Sequence, residues 1–191
     1  MLTQEKVLEI FAETGVLLEG HFLLTSGRHS ARYLQCARVF QYPEQARILC
    51  LALAARFGGE DVDFCIGPAL GGVIMAYETA RSLGVRAMFA EREQDGKMAL
   101  RRGFTIRPGE RALVLEDVVT TGGSVREVAA LVRSFGGEVA GVGAVVDRSS
   151  GTADFGVPFA ALVRLEVETF SPSDCPLCCL GSPAVKPGSR K

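Results

Sequence analysis

The sequence lacks a long apolar run, an excess of charge of either sign, and any internal repeat or low-complexity linker. Its longest apolar stretch, ILCLALAA at residues 48–55, is far too short to cross a bilayer, which takes about 20 residues. Met1 is followed by the polar segment 3–6, which is not typical of a secretory signal. The net charge of -1 and the pI near 6.2 do not favour a nucleic-acid binder held by bulk electrostatics. We therefore expect a cytoplasmic protein with neither a membrane nor a nucleic-acid partner.

The 191 residues, of which 48% are hydrophobic, suit a single domain with a sizeable core. From residue 61 onward, short apolar runs, glycine-rich loops and helical patterns alternate. This alternation predicts an α/β fold with a central, mostly parallel sheet flanked by helices. Earlier in the chain, the patterns predict a helix over 3–14, two short strands on either side of Ser26-Gly27, and a helix over 43–57.

Two stretches are predicted to be less regular. The long, charged segment 91–110 is interpreted as a mobile excursion, and the last ten residues, 182–191, are expected to be loosely held. Between them, a strand over 111–116 precedes a helix that we expect to be capped by Ser124.

The six cysteines fall into two groups. Three are scattered through apolar segments and are predicted to be buried free thiols, namely Cys36, Cys50 and Cys65. The others lie in the tail segment DCPLCC, where Cys175-x-x-Cys178 supplies half of a tetrahedral zinc site. No second such pair and no suitable histidine follows it, and His29 is predicted to face solvent in a turn. The sequence favours a reduced tail over a zinc site or a disulfide.

The segment ALVLEDVVTTGGS, residues 112–124, joins an apolar strand to two acids and a glycine-rich turn. Backbone N–H groups that converge at a helix N-terminus bind phosphate, and the glycines of residues 120–124 allow a close approach. A Walker A loop is excluded because no lysine lies between Lys97 and Lys186. A dinucleotide-binding fingerprint is excluded because its glycines precede its acid by about 20 residues, whereas here the acids come first.

Carboxylates beside a phosphate loop repel phosphate, so Glu116 and Asp117 are expected to bind another part of the same ligand. Ionised carboxylates accept hydrogen bonds, and vicinal hydroxyls donate them. The order of acids and loop therefore fits a 5-phosphorylated ribose, with its diol on the two acids and its phosphate on residues 120–124. The alternative is that both acids are solvated residues at a strand end, before an ordinary helix cap.

The segment from Glu116 to Ser124 resembles the signature of the type I phosphoribosyltransferases, which use 5-phosphoribosyl 1-pyrophosphate (PRPP). Further segments resemble the orotate phosphoribosyltransferases in the expected order, namely HFLLTSGRHSARYLQ (21–35), GPALGG (67–72) and VVDRSSG (145–151). The resemblance implies the type I phosphoribosyltransferase fold. It divides the chain into a helix and small N-terminal hood in about 1–40, an α/β core in 43–170 and a cysteine-containing tail in 171–191.

The same resemblance implies transfer of the phosphoribosyl group from PRPP to orotate, giving orotidine 5'-phosphate and pyrophosphate in pyrimidine biosynthesis. It also implies Mg²⁺ as a cofactor bound through the substrate, and a homodimer with shared active sites. Two alternatives stay open. One is a phosphoribosyltransferase for another nucleobase, and the other is a non-catalytic regulator that binds PRPP. The sequence offers neither the basic face nor the added helix-turn-helix that a nucleic-acid-binding regulator would need.

The resemblance also implies residue roles. Catalytic roles fall to Glu116, Asp117 and Lys97. The implied PRPP-binding residues are Glu116, Asp117, Val118, Val119, Thr120, Thr121, Gly122, Gly123, Ser124, Arg92 and Lys97. Pyrophosphate would lie on backbone N–H groups of Gly67, Pro68 and Ala69, although an ordinary strand-to-helix turn would have the same sequence. Orotate would contact Thr120, Arg148, Ser26, Arg28 and Tyr33.

Two of these residues have simple structural alternatives. The planar fork of Arg148 suits a carboxylate or a ring carbonyl, but a surface arginine at a strand end is also common. Tyr33 could equally be a core aromatic residue.

The charged segment 91–110 supplies cations for the leaving pyrophosphate, unless it is only a solvated loop. In the relatives a loop here closes over the neighbouring subunit's site, which makes Lys97 the first candidate and Arg92 the second. The sequence departs from many relatives, which have a lysine where Thr25 and Gly71 stand and a histidine in this loop. These departures indicate a divergent branch with fewer cations around the leaving group.

Overall fold

The computed structural model describes residues 2–24 and 26–187. In chain order, the helices and strands are α1 (Gln4–Thr14), β1 (Leu17–Leu23), β2 (His29–Leu34), α2 (Pro43–Ala54), β3 (Phe64–Pro68), α3 (Gly71–Leu83), β4 (Arg86–Arg92), β5 (Met98–Leu100), β6 (Arg111–Val119), α4 (Gly123–Ser134), β7 (Glu138–Asp147), β8 (Phe159–Arg164) and α5 (Pro176–Cys179). Short 3-10 turns lie at Cys36–Gln41, Ala55–Phe57 and Pro172–Asp174.

The main sheet has six strands in the order β5-β4-β3-β6-β7-β8. Neighbouring strands are parallel except at the β4–β5 edge, so the predicted α/β fold with a mostly parallel sheet is confirmed. Within the described residues, no helix combines the length and the apolar character that crossing a membrane requires. The assignment of the whole chain to one domain stays a prediction.

Helices cover both faces of this sheet. Successive side chains of a strand point to opposite faces, and β6 shows the division clearly. Leu113 and Leu115 join a core cluster with α1, α2 and α3, whereas Ala112 and Val114 join a second cluster with α4. The helices that follow β3 and β6, which are α3 and α4, therefore lie on opposite faces of the sheet.

The hood is the antiparallel hairpin of β1 and β2, as predicted. Its turn closes through hydrogen bonds from the Leu24 N–H to the Arg28 carbonyl (2.8 Å) and from the Gly27 N–H to the Leu24 carbonyl (2.9 Å). Gly27 has a φ of 77°, a conformation that favours glycine. The predicted Ser26-Gly27 turn is therefore confirmed.

The tail is held against the hood rather than loosely attached. Phe170 exchanges two backbone hydrogen bonds with His29 (2.8 and 2.9 Å), and the Val185 N–H donates to the His21 carbonyl (2.8 Å). The prediction of a loosely held segment 182–191 is therefore wrong as far as residue 185. Residues 188–191 lie outside the described part of the chain.

The charged stretch 91–110 is more regular than predicted. Arg92 pairs with Met98 across a hairpin, which adds β5 to the edge of the sheet. Arg102 donates two hydrogen bonds to the Glu91 carboxylate (2.8 Å each). Opposite charges thus face one another across this edge, and the high charge density concealed the strand.

Gly67 generates a prediction about packing, because it lies where β3 meets α3. A Cβ at this position would be 2.7 Å from the Gly72 carbonyl oxygen and 2.9 Å from that of Leu115. Since both neighbours are backbone atoms, Gly67→Ala should cost about 2 kcal/mol or more and lower Tm by about 4–8 °C. Gly59→Ala is the matched control, because nothing lies within 4 Å of its added Cβ. Equal melting temperatures for the two variants would contradict this account.

Candidate active site

The candidate site lies at the carboxyl edge of the sheet, between β3 and β6. These strands are neighbours, yet the helices that follow them leave toward opposite faces. In open α/β sheets such a divergence creates a crevice outside the strand ends, where ligands bind. The turns after β3 and β6 border this crevice.

The turn after β3 is closely packed, and its free donors lie later than predicted. Pro68 has no N–H group, and the Ala69 N–H donates to the Ala90 carbonyl (2.8 Å). The first N–H groups of a helix have no intrahelical acceptor, and α3 begins at Gly71. Pro68 and Ala69 therefore offer no donor to a ligand, whereas Leu70–Gly72 lie at the start of α3.

The two acids lie within β6, which continues to Val119, beyond the predicted end of this strand at Glu116. Because they are consecutive in a strand, their side chains point to opposite faces. Glu116 lines a cavity of about 360 Å³ together with the loop Thr120–Ser124. The Asp117 carboxylate lies beside Gly71, where an added Cβ would be 3.1 Å from its Oδ2. The acids therefore flank β6, one toward each adjoining helix.

Burial raises the pKa of the Asp117 carboxyl group, and a hydrogen bond from the Val118 N–H (2.8 Å) opposes this effect. The Asp117 N–H in turn donates to Glu116 Oε1 (3.2 Å). A partly desolvated carboxylate is stabilised by further donors or by a cation. The acid pair thus suits a ligand that brings hydroxyl groups or a divalent ion.

The loop Thr120–Ser124 leads into α4, whose N-cap is Gly122 and not the predicted Ser124. Gly122 has a φ of 74°, and an added Cβ would lie 2.7 Å from the Phe155 ring. Arg126 donates to the Thr121 carbonyl and stacks over Phe155 at 5.2 Å. The loop is therefore held in shape by Arg126 and Phe155. Sequence reasoning missed both residues because they lie outside the glycine motif.

Arg148 begins the turn after β7, and its N–H donates to the Val119 carbonyl (2.7 Å). Its side chain is half-buried, and its Nε has no hydrogen-bond partner among the residues that the structure describes. Burial lowers the pKa of the guanidinium, and Tyr33 opposes this effect. Burial also raises the pKa of Tyr33, and Asp117 raises it further. A desolvated cation within electrostatic reach of a half-buried tyrosine suits a planar, anionic ligand.

Asp147 fixes the turn that carries Arg148. Its buried carboxylate accepts hydrogen bonds from the Ser149 N–H (2.8 Å), the Ser149 hydroxyl (2.6 Å) and Arg164 Nε (3.1 Å). Burial raises the pKa of Asp147, but these contacts outweigh it and hold the pKa below its ordinary value. The Asp-x-Ser spacing is the signal that could have identified this turn.

The hood turn reaches the site through the segment 166–169. The Arg28 guanidinium donates to the Thr169 hydroxyl (2.8 Å) and carbonyl (2.7 Å), and the residues just before Thr169, 166–168, line a cavity of about 420 Å³ with Arg148. Ser26 is exposed, and no hydrogen bond within the described ranges joins it or Arg28 to Arg148. Thr25 lies outside the described residues.

The two predicted loop cations occupy different positions. Arg92 lines the cavity of the Thr120–Ser124 loop and forms an ion pair with Glu127 (2.7 Å). Lys97 lies on the hairpin turn, 82% exposed, and pairs with Asp95 (3.0 Å). Within one chain, Arg92 and not Lys97 therefore faces the loop Thr120–Ser124.

Several cysteines and both histidines are also buried. The prediction of buried free thiols is confirmed for Cys36, Cys50 and Cys65, and burial raises the pKa of Cys50 to about 11. The prediction that His29 faces solvent is wrong, since it is 8% exposed. It lies with His21 against the tail cysteines, so a suitable histidine does exist, earlier in the chain than the tail.

Known proteins resemble this chain in sequence over its whole length and in overall fold. Residues 46–157 match the phosphoribosyl transferase domain family. The chain is 61% identical to the orotate phosphoribosyltransferase of Caldanaerobacter subterraneus subsp. tengcongensis and 60% identical to that of Pelotomaculum thermopropionicum, each over 100% of both chains. The crystal structure of orotate phosphoribosyltransferase from Aeropyrum pernix superposes with a TM-score of 0.65 at 26% identity, covering 83% of this chain and 93% of that one.

Proposed function

Since the chain belongs to the phosphoribosyltransferase family, among the orotate phosphoribosyltransferases, we propose that it transfers the phosphoribosyl group of PRPP to orotate. The products are orotidine 5'-phosphate and pyrophosphate, in the synthesis of pyrimidine nucleotides. The type I phosphoribosyltransferase fold predicted from the sequence is confirmed. One observation carries the proposal: the acid pair, the loop Thr120–Ser124 and Arg148, whose Nε has no hydrogen-bond partner within 2–24 and 26–187, lie at one edge of the sheet.

PRPP would lie across the end of β6. Its 5-phosphate binds the backbone N–H groups and hydroxyls of Thr120–Ser124, at the N-terminus of α4. Its ribose hydroxyls donate to Glu116 and Asp117, which flank the strand end. The desolvated Asp117 supports this assignment, because hydroxyl donors stabilise its charged form.

The pyrophosphate would lie at the start of α3, on the N–H groups of Leu70–Gly72. The acid pair also fits Mg²⁺, because carboxylate oxygens are hard ligands. Burial disfavours the charged form of Asp117, and a nearby cation would stabilise it. We expect Mg²⁺ to be held mainly through substrate oxygens, with Asp117, beside the start of α3, as the nearer protein carboxylate. When bound, Mg²⁺ neutralises charge on the pyrophosphate.

Orotate would bind between Arg148 and Tyr33, with Thr120 beside the ring. The carboxylate or a ring carbonyl of orotate would accept from the Arg148 fork, including the Nε that has no partner among the described residues. Tyr33 forms a half-buried wall, and the turn of Ser26 and Arg28 closes the rim through Thr169.

In the reaction, orotate N1 forms a bond to ribose C1 while the bond from C1 to pyrophosphate breaks, and the N1 proton passes to the released pyrophosphate or to water. The centre passes through an oxocarbenium-like state, and the electron pair of the broken bond leaves on pyrophosphate. Orotate nitrogen needs little activation, so alignment, charge neutralisation and exclusion of water supply the catalysis.

Loss of orotate absorbance in the presence of PRPP and Mg²⁺ tests this activity directly. Hypoxanthine, adenine and uracil as competing bases test the alternative of another nucleobase.

We further propose a homodimer in which the hairpin of one subunit covers the site of its partner. The position of Lys97 supports this arrangement, because Lys97 is exposed on a hairpin turn and paired only with a neighbouring acid of that turn, Asp95, among the described residues. Arg92 would contact the pyrophosphate or 5-phosphate within its own subunit.

A cytoplasmic location is proposed from the sequence, and cell fractionation tests it.

Arg148→Ala should raise the KM for orotate by roughly 30- to 150-fold, because it removes a charged hydrogen-bond donor from a desolvated site. The KM for PRPP should change less than about threefold, since PRPP binds elsewhere in the crevice. Arg133→Ala, an exposed arginine on α4, is the matched control and should leave both constants unchanged. Steady-state kinetics with each substrate varied give the answer, and an equal loss for both substrates would show that the base is held elsewhere.

Lys97→Ala should lower kcat far more than it changes PRPP binding, because Lys97 would act on the leaving group. If sites are shared, mixing Lys97→Ala with Asp117→Asn subunits should restore about a quarter of wild-type activity, since half of the dimers are mixed and each keeps one intact site. Mixing Glu116→Gln with Asp117→Asn is the control and should restore nothing, because both changes affect the same half of the site. Normal turnover of Lys97→Ala alone would assign the role to Arg92 instead.

A further inference from the structure

Four potential metal ligands meet between the hood and the tail. His21 lies on β1, His29 begins β2, and Cys175 and Cys178 come from the tail segment DCPLCC. Their ligand atoms all lie within 4.8 Å of one another. His21, His29 and Cys175 are 6%, 8% and 0% exposed. The fold therefore supplies the two histidines that the tail sequence lacks.

The spacing of the donor atoms matches a tetrahedral zinc site. With Zn–S near 2.3 Å and Zn–N near 2.0–2.1 Å, the edges of such a tetrahedron are about 3.6 Å for N–S and about 3.3 Å for N–N pairs. His21 Nε2 lies 3.5 Å from Cys175 Sγ and 3.8 Å from Cys178 Sγ, and His29 Nδ1 lies 3.3 Å from Cys178 Sγ. The two imidazole nitrogens are 2.8 Å apart, so they need to separate by about 0.5 Å to accept the ion.

A backbone hydrogen bond orients His21 for this role. Its Nδ1 lies 2.7 Å from the Ser182 carbonyl oxygen, which can only accept, so Nδ1 carries the proton. Nε2 is then unprotonated in the neutral ring, and its lone pair faces His29 and the two thiols. A carbonyl that fixes the tautomer of a ligating histidine is the usual outer contact of zinc sites.

We propose that His21, His29, Cys175 and Cys178 bind one zinc ion. Two sulfur and two nitrogen donors in tetrahedral arrangement favour zinc over the harder divalent metals. All four positions would be filled by protein, so the site would be structural rather than catalytic. A Cys175–Cys178 disulfide would leave two buried imidazoles beside each other without a role, whereas zinc uses all four groups. Metal binding at this site does not depend on the proposed transferase activity.

The ion would fasten the tail to the hood. Val185 and Phe170 already pair with the backbones of His21 and His29, and Thr169 holds the Arg28 side chain. The zinc site would lock these contacts at the base of the turn that borders the orotate site. Loss of zinc should therefore loosen the hood while the sheet and the phosphate loop stay intact.

The test compares wild-type protein with Cys178→Ser and with Cys179→Ser, an adjacent exposed cysteine outside the ligand group. Zinc is measured by mass spectrometry after purification without chelators. We expect one zinc ion per chain in wild type and in Cys179→Ser, and loss of at least nine-tenths of it in Cys178→Ser. Equal zinc contents in the two variants, or none in the wild type, would overturn the proposal.

A second measurement does not depend on the folding of any variant. Wild-type protein stripped with a chelator and titrated with Co²⁺ should develop the visible absorption of tetrahedral cobalt–thiolate coordination, with an end point at one ion per chain. The stripped protein should melt roughly 10 °C lower, and Zn²⁺ but not Mg²⁺ should restore the melting temperature. A spectrum without thiolate coordination, or unchanged melting after stripping, would refute the site even if orotate is turned over normally.

Discussion

Strands β3 and β6 lie side by side, and the helices that follow them leave toward opposite faces of the sheet. The site depends on this divergence, and the divergence depends on close backbone packing at Gly67. It places one helix N-terminus on each side of a strand end that carries two acids. The crevice therefore alternates in polarity, with amide donors, carboxylate acceptors and amide donors again. PRPP has the complementary order of 5-phosphate, ribose hydroxyls and pyrophosphate.

Burial disfavours the charged forms of an acid and of a base in the crevice. Burial raises the pKa of Asp117 and lowers that of Arg148, and Tyr33 lies within electrostatic reach of both. Under the proposed function, hydroxyl donors and a cation would stabilise the charged form of Asp117, and an anionic ring would stabilise that of Arg148. Preorganised groups of this kind lower a barrier because they need not reorient during the reaction. The hydrogen bonds of Asp147 with Ser149 and Arg164, and the stacking of Arg126 on Phe155, hold the turns that border the crevice.

The sequence predicted the parts of the site that are local in the chain. Alternating strands and helices, the acid pair and the glycine loop all follow from short-range patterns and were identified. The opposite directions of Glu116 and Asp117 follow from strand geometry, but only because β6 extends through both residues to Val119. Contacts between distant segments could not be found in this way. Arg126 meets Phe155 only through folding, and His21 meets Cys175 although 154 residues separate them.

The central claim is that one sugar phosphate spans the crevice from the start of α4 to the start of α3. A crystal structure of the protein with PRPP and Mg²⁺ tests it most directly. We expect the 5-phosphate on residues 120–124, the ribose hydroxyls at Glu116 and Asp117, and the pyrophosphate at Leu70–Gly72. Pyrophosphate on residues 120–124, or a ribose away from both acids, would contradict it.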